Sequence, residues 1–221
     1  MFRNLRRWLQ GKAKPPSIVR PEWPASNRLS CERCTSPQTF HITNMSRAGV
    51  LSETHLCESC AYSVLRTPYQ RVASTSRSNR DAEMQIEIAR IVISEVNDQQ
   101  VVLFREIDGE RHCFLLIGIF EATALDRFIK GFSAPRPLTH DAWFATINAL
   151  DASVQMASIT AWSTTLEKAY LAELRLNRRS SVTCVDVRPS DAVIIALIAK
   201  APIMMANELL TEADSSIEYG V

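Results

Sequence analysis

The chain has 221 residues, of which 46% are apolar and 22% charged, a composition typical of a globular protein with one sizeable core and a smaller module. The longest apolar run, Ala192–Ala199, is much shorter than the roughly 20 residues that cross a bilayer, so we expect no membrane-spanning helix. Residues 1–84 carry 13 Lys/Arg against 6 Asp/Glu, a net charge of +7, whereas residues 85–221 carry 12 against 18, a net charge of −6. An anionic partner such as nucleic acid therefore fits the front of the chain better than its back half.

The first 28 residues are basic, rich in proline and poor in core-forming runs, and they are interpreted as a flexible tail. Apolar residues at helical spacing near Trp8 leave open a short amphipathic helix that binds a membrane or nucleic acid. The segment lacks the apolar core of a secretory signal. Cysteines in CxxC pairs favour metal binding over disulfides. Both features indicate a cytoplasmic protein.

Residues 29–65 contain two CxxC pairs separated by 22 residues, in the sequences CERC and CESC. Cys31, Cys34, Cys57 and Cys60 supply four thiolates, the ligand set of a closed structural zinc site. Metal binding would provide the folding free energy that such a small segment lacks. His41 and His55 lie nearby in the sequence as alternative ligands, but four cysteines suffice without them. Two further cysteines lie on apolar strands and are expected in the core, namely Cys113 and Cys184.

Residues 66–84 are polar and without periodicity, which is typical of a linker, and packed-domain character runs from 85 to 211 before an acidic tail at 212–221. Alternating apolar residues predict strands, Asp108-Gly109 predicts a hairpin turn, and Gly131 predicts a helix end. Thr139 and Ser190 are predicted helix caps. The strands are expected near 86–93, 101–106, 113–117, 154–162, 169–176, 182–187 and 202–205, and the helices at 120–130, 139–150 and 190–200. Antiparallel strands with two or three helices predict the α+β class.

Several motifs of the second half occur together: IGIFEATAL at 117–125, RPLTHD at 136–141, AELRL at 172–176, VDVRPSDAVIIAL at 185–197 and APIMMANELL at 201–210. In this order they resemble the bifunctional nuclease domain family over about 110 residues. The resemblance implies an α+β domain and hydrolysis of DNA and RNA. The segment HLCESCA at 55–61 is similar to the zinc-binding start of protein-arginine-kinase activators. The chain departs from the family at Phe114–Leu116 and at Trp143, neither of which is a charged motif position.

The two motifs RPLTHD and RPSD each place an arginine just before a helix start, where backbone N–H groups and a guanidinium suit a phosphate. We assign Arg136 and Arg188 to phosphate binding and His140 to general acid or base catalysis. Three carboxylates are assigned to a divalent cation, Mg²⁺ or Mn²⁺. They are Glu121, Asp141 and Asp191.

Each assignment has a structural alternative. The aspartates complement helix dipoles in any case, the arginines are suited to pair with them or with Asp186, and His140 fits a supporting hydrogen bond as well as catalysis. The leading interpretation is a nuclease whose zinc module contacts nucleic acid or a protein. The alternative is a non-catalytic regulator that recruits a protein through the zinc module, and a homo-oligomer is compatible with both.

Overall fold

The computed structural model describes residues 30–65, 83–96, 98, 100–163 and 168–210. These residues form nine strands and four α-helices, and the fold class is α+β, as predicted. The strands are β1 (Phe40–Met45), β2 (Leu51–Leu56), β3 (Glu83–Ser94), β4 (Gln100–Glu106), β5 (His112–Ile117), β6 (Ala152–Ser163), β7 (Lys168–Arg178), β8 (Ser181–Val187) and β9 (Ile203–Ala206). The helices are α1 (Glu58–Val64), α2 (Ile119–Ile129), α3 (Thr139–Ala149) and α4 (Pro189–Ala199), and a 3₁₀ turn spans Asn207–Leu209.

Strand β3 organises the sheet because it has three neighbours. One edge pairs with β4, which pairs in turn with β5. The other edge pairs with β1 through the second half of β3 and with β9 through its first half. From β9 the sheet continues through β6 and β7 to β8. The β6–β9 pair is parallel, whereas the other strand pairs of the described residues are antiparallel.

The apolar pattern of β3 explains how one strand serves two parts of the core. Ile86 and Ile88 alternate toward the main core, and the pairing with β4 then shifts between Ile88 and Arg90. Such a β-bulge reverses the alternation, so Ile91 also faces the main core, at 1% exposure. Val92 instead packs in the smaller cluster beneath the cysteines. The bulge therefore accounts for the three-residue step between the pair Ile86 and Ile88 and the pair Ile91 and Ile93.

Helix α4 lies at the centre of the main core. Val193, Ile194 and Ile195 are all fully buried, as expected for a helix that is apolar on every side. One side of α4 packs on β6 and β7, and α2 and α3 pack against the rest of it. The first turns of α2, α3 and α4 are thereby held as parts of one packed unit.

Two cap predictions and one burial prediction were wrong. Thr139 and Ser190 lie inside the first turns of their helices, and the N-caps are Leu138 and Arg188, the latter followed by Pro189 at the first helical position. In α3 the cap is supplied from within, because the Asp141 carboxylate accepts the Leu138 N–H at 2.9 Å. Cys184 is exposed, since it lies on the edge strand β8, whereas Cys113 is buried on β5 as predicted.

The hairpin β1–β2 that follows the first cysteine pair belongs to the same sheet as the second half of the chain, because β1 is hydrogen-bonded to β3. Strand β3 starts at Glu83, inside the last two residues of the predicted linker. The basic tail, the rest of the linker, Asn97 and the acidic tail lie outside the described residues. In the part of the chain that is described, no helix has the length and apolar character of a membrane span.

Candidate functional site: a four-cysteine metal centre and a His-Asp-Arg-Glu cluster

The sulfurs of Cys31, Cys34, Cys57 and Cys60 all lie within 4.8 Å of one another. Two of the separations are 3.6 Å, between Cys34 and Cys57, and 3.8 Å, between Cys60 and Cys34. Four thiolates at the ~2.3 Å bond length of a tetrahedral zinc ion would place their sulfurs about 3.8 Å apart. These residues, which we call the cysteine cluster, therefore fit a structural metal ion such as zinc.

The β1–β2 hairpin and helix α1 position the cysteine cluster. Cys31 lies in a tight turn in which its N–H donates to the Ser36 carbonyl at 2.9 Å and its sulfur accepts the Arg33 N–H at 3.4 Å. Cys57 directly precedes α1, and Cys60 lies in the first turn of that helix. A separate apolar cluster supports both knuckles from below; it includes Phe40, Ile42, Leu56, Ala61 and Val92.

The pKa values of two thiols in the cluster shift in opposite directions. Burial opposes ionisation of Cys31, but backbone hydrogen bonds outweigh it and lower the pKa of this thiol to about 6. The neighbouring sulfurs, Cys57 first among them, raise the pKa of Cys60 to about 12. Four adjacent sulfurs cannot all carry negative charge by themselves, whereas a divalent cation stabilises all four thiolates at once.

His41 and His55 do not join the cysteine cluster. Their rings contact each other, with the two Nδ1 atoms 3.0 Å apart, and the Nε2 atom of His41 lies 2.9 Å from Glu95. The sequence-based expectation that the four cysteines suffice as ligands agrees with this placement.

Four of the six predicted catalytic residues converge at the starts of α2, α3 and α4. Asp191, in the first turn of α4, accepts from His140 Nε2 at 3.0 Å and from Arg188 Nε at 2.7 Å. Arg188 Nη2 also lies 2.9 Å from Glu121 in the first turn of α2. We call these residues the His140 cluster. Its carboxylates and imidazole are only 14% exposed, whereas Arg188 is 66% exposed, so the guanidinium faces solvent and the other groups lie behind it.

Charge pairing sets the ionisation of Asp191. Burial opposes ionisation, but hydrogen bonds from Arg188 and His140 outweigh it and hold the pKa of this carboxyl below its usual value. An ionised Asp191 accepts the Nε2–H of His140, which leaves Nδ1 as the basic nitrogen of the neutral ring. The carboxylate therefore orients the imidazole and fixes its tautomer.

The remaining two predicted residues lie apart from the cluster. Both carboxylate oxygens of Asp141 accept from Arg127 at 3.1 Å, and one of them also accepts the Leu138 N–H, so Asp141 secures the start of α3. Arg136 is exposed on the loop before α3 and has no ion-pair partner among the described residues. It remains suited to an anion arriving from solvent.

The three carboxylates predicted to hold a divalent cation do not meet. Asp141 is directed to Arg127, and Glu121 and Asp191 both pair with Arg188. Within the described ranges, the cysteine cluster is the group of three or more His, Cys, Asp or Glu side chains close enough to share one ion. A carboxylate in a first helical turn has the same local sequence signature whether it binds a cation or caps the helix.

Two residues that matter to the cluster were not predicted. A Cβ on Gly118, the N-cap of α2, would lie 2.6 Å from Glu121 Oε2, so glycine leaves the room in which that carboxylate folds back toward Arg188. Arg127 joins α2 to α3 through Asp141. The Ile-Gly pair of IGIFEATAL could have indicated Gly118 from the sequence. Arg127 could not be singled out, because its spacing is that of any solvent-exposed charge on a helix.

The fold and these two clusters define an α+β protein that combines a four-cysteine cluster suited to a structural metal ion with a largely buried His-Asp pair. The family model described as the bifunctional nuclease domain matches residues 102–218, and the chain belongs to that family. Two uncharacterized proteins of Mycobacterium tuberculosis, from two strains, are each 33% identical over 129 residues, which cover 58% of this chain and 75% of each relative. The residues that the family model matches include the whole His140 cluster.

Proposed function

We propose that the chain hydrolyses phosphodiester bonds of DNA or RNA at the His140 cluster, and that the cysteine cluster holds a structural zinc ion. The observation that supports this most is the 3.0 Å hydrogen bond from His140 Nε2 to Asp191, flanked by Arg188 at the start of α4. A carboxylate-oriented imidazole beside a solvent-facing guanidinium is the arrangement that a general base and a phosphate-binding group require. Membership in the bifunctional nuclease domain family supports the substrate class.

In the proposed mechanism the phosphate that is cleaved binds Arg188, and Arg136, exposed on the loop before α3, binds a further phosphate of the same nucleic-acid strand. His140 Nδ1 accepts a proton from the attacking water while the water oxygen bonds to phosphorus. The P–O bond to the leaving oxygen then breaks, and that oxygen takes up the proton from His140. Asp191 stabilises the imidazolium that forms between these steps.

Glu121 and Asp191 each pair with Arg188, so the proposed step uses the arginines, and a Mg²⁺ or Mn²⁺ ion at this cluster stays a prediction that the cleavage assay tests. Neutralisation of the phosphate charge is assigned to the two arginines. For the cysteine cluster, the likeness to protein-arginine-kinase activators supports contact with a protein or nucleic-acid partner.

The test is cleavage of single-stranded and duplex DNA and RNA by the purified full chain, with and without Mg²⁺ or Mn²⁺. His140→Ala and Asp191→Asn are each expected to lower the rate by roughly 10²–10⁴-fold, the usual contribution of an oriented general base. Asp186→Asn is the matched control, since it removes an exposed carboxylate from β8 outside the His140 cluster. Equal rates for the wild type and both cluster variants would refute the proposal and favour the non-catalytic regulator.

A further inference from the structure

His41 and His55 face each other across the first hairpin. They are directly opposed in the β1–β2 pairing, with ring centroids 5.1 Å apart, planes crossed at 77° and Nδ1 atoms separated by 3.0 Å. Opposed residues of an antiparallel pair have Cβ atoms about 5 Å apart, which is close enough for two imidazoles to bind one ion between them. The Nδ1 atoms, the two nitrogens that point toward each other, are the atoms such an ion would contact.

The outer nitrogen of each ring lies next to a carboxylate. His41 Nε2 is 2.9 Å from Glu95, and His55 Nε2 is 3.8 Å from Glu53. Carboxylates at this position hold the far nitrogen of metal-binding histidines, orient the ring and make the near nitrogen a better ligand. With Nε2–H of His41 directed to Glu95, its Nδ1 carries a lone pair.

His55 Nε2 lies 3.8 Å from Glu53, beyond hydrogen-bond distance. Because His41 Nδ1 carries a lone pair, the 3.0 Å Nδ1–Nδ1 contact requires His55 to donate from its own Nδ1. Metal binding would move that proton to Nε2 of His55, toward Glu53, and free the second lone pair. No proton leaves the site in this step, since only the tautomer of His55 changes.

Geometry and charge both favour a cation here. Two Zn–N bonds of ~2.0–2.1 Å at a tetrahedral angle place the nitrogens about 3.3–3.4 Å apart, so the rings need to separate only slightly. Glu95 and Glu53 lie beside the ring nitrogens, Glu32 accepts the backbone N–H of His55 at 2.7 Å, and Lys130 contacts Glu53. The imidazole side chains are 31% and 28% exposed, which admits water as further ligands.

We propose that His41 and His55 form a second metal site, separate from the cysteine cluster, for a borderline divalent cation such as Zn²⁺. Two imidazoles supply the protein ligands, and water fills the remaining positions. Such an open site holds its ion exchangeably, in contrast to the closed cysteine cluster, and the imidazole ligands select Zn²⁺, Ni²⁺ or Cu²⁺ over Mg²⁺.

The test is titration of the full chain with Zn²⁺ and with Co²⁺, followed by optical absorption. The wild type is expected to take up a first equivalent of Co²⁺ with thiolate charge-transfer bands and a second, weaker equivalent without them. The double variant His41→Ala, His55→Ala is expected to keep the first equivalent and lose the second. A wild type that takes up one equivalent, or a double variant that still takes up two, would overturn the proposal.

Two further variants keep this test decisive. Glu95→Gln lies outside the hairpin and is expected to weaken the second site by roughly 10–100-fold while the first is unchanged. His112→Gln on β5 removes a histidine elsewhere and should bind both ions as the wild type does. If the double alanine variant loses its fold by circular dichroism, Glu95→Gln decides, and an unchanged second affinity there would overturn the proposal.

Discussion

Removal of Asp191 tests the His140 cluster through stability alone, independently of any substrate. Asp191→Ala leaves Arg188 paired with Glu121 but leaves His140 Nε2 without its acceptor at 14% exposure. A hydrogen bond to a charged group contributes ~1.5–3 kcal/mol, and the exposed Arg188 pair adds less than about 1 kcal/mol. We therefore expect Asp191→Ala to lower the free energy of unfolding by about 2–3 kcal/mol.

The assay is urea unfolding of the wild type, Asp191→Ala, His140→Ala and the double variant, followed by far-ultraviolet circular dichroism. Because the two side chains are bonded to each other, the double variant should be less destabilised than the sum of the single variants by about 1–2 kcal/mol. Effects that add within about 0.3 kcal/mol would refute the His140–Asp191 pairing and the mechanism built on it.

The pH dependence of the same variant has a definite sign. The pKa of Asp191 is lowered in the folded protein, so this carboxylate contributes stability above the unfolded pKa of ~3.9, and that contribution is lost as the pH falls through the lower, folded value. The stability difference between the wild type and Asp191→Ala should therefore shrink as the pH is lowered from about 5 toward 3. A difference that grows over this range would show that the carboxylate is not stabilised by its partners.

Two further predictions concern glycine and metal. Gly118→Ala should displace the Glu121 carboxylate from Arg188 and, under the proposed function, slow cleavage. In a Glu121→Ala background the same change should have no effect on the cleavage rate. An equal loss of rate in both backgrounds would contradict the role of the glycine. Cys57→Ser, or chelation of the metal, should expose the apolar cluster beneath the cysteines and lower the melting temperature. Added metal should restore the melting temperature of the chelator-treated wild type but not that of Cys57→Ser. A melting temperature indifferent to chelator would contradict a structural metal.

Structural features that depend on neighbouring residues were predicted best from the sequence. A CxxC knuckle brings two sulfurs together wherever it folds, so Cys31 and Cys34 were assigned correctly without knowledge of the sheet. The main strands were found because alternation directly reports a buried face, whereas the bulge within β3 was not predicted. Helix ends were less accurate, since an internal carboxylate or a proline can replace a hydroxyl cap, as at Leu138 and Arg188.

Long-range convergence was only partly accessible. His140 and Asp191 are 51 residues apart, and it was the paired Arg-Pro motifs, each before a helix, that suggested a common site. The same signature misassigned Asp141, whose carboxylate turns toward Arg127 on a neighbouring helix. The attachment of β1 to β3 was also missed, because a short polar strand does not reveal which edge it will pair with.

Helix α2 explains why the two clusters belong to one structural unit despite their separate sequence signatures. Its first turn presents Glu121 to Arg188. Near its end, Asp126 accepts from Thr43 of β1 at 2.6 Å, and Lys130, just beyond its last turn, lies 3.2 Å from Glu53 of β2. The hairpin beside the cysteine cluster and the start of α4 are therefore held by opposite ends of one rigid element. Side-chain contacts at the two ends of α2 thus tie it to the β1–β2 hairpin and to Arg188 at the start of α4.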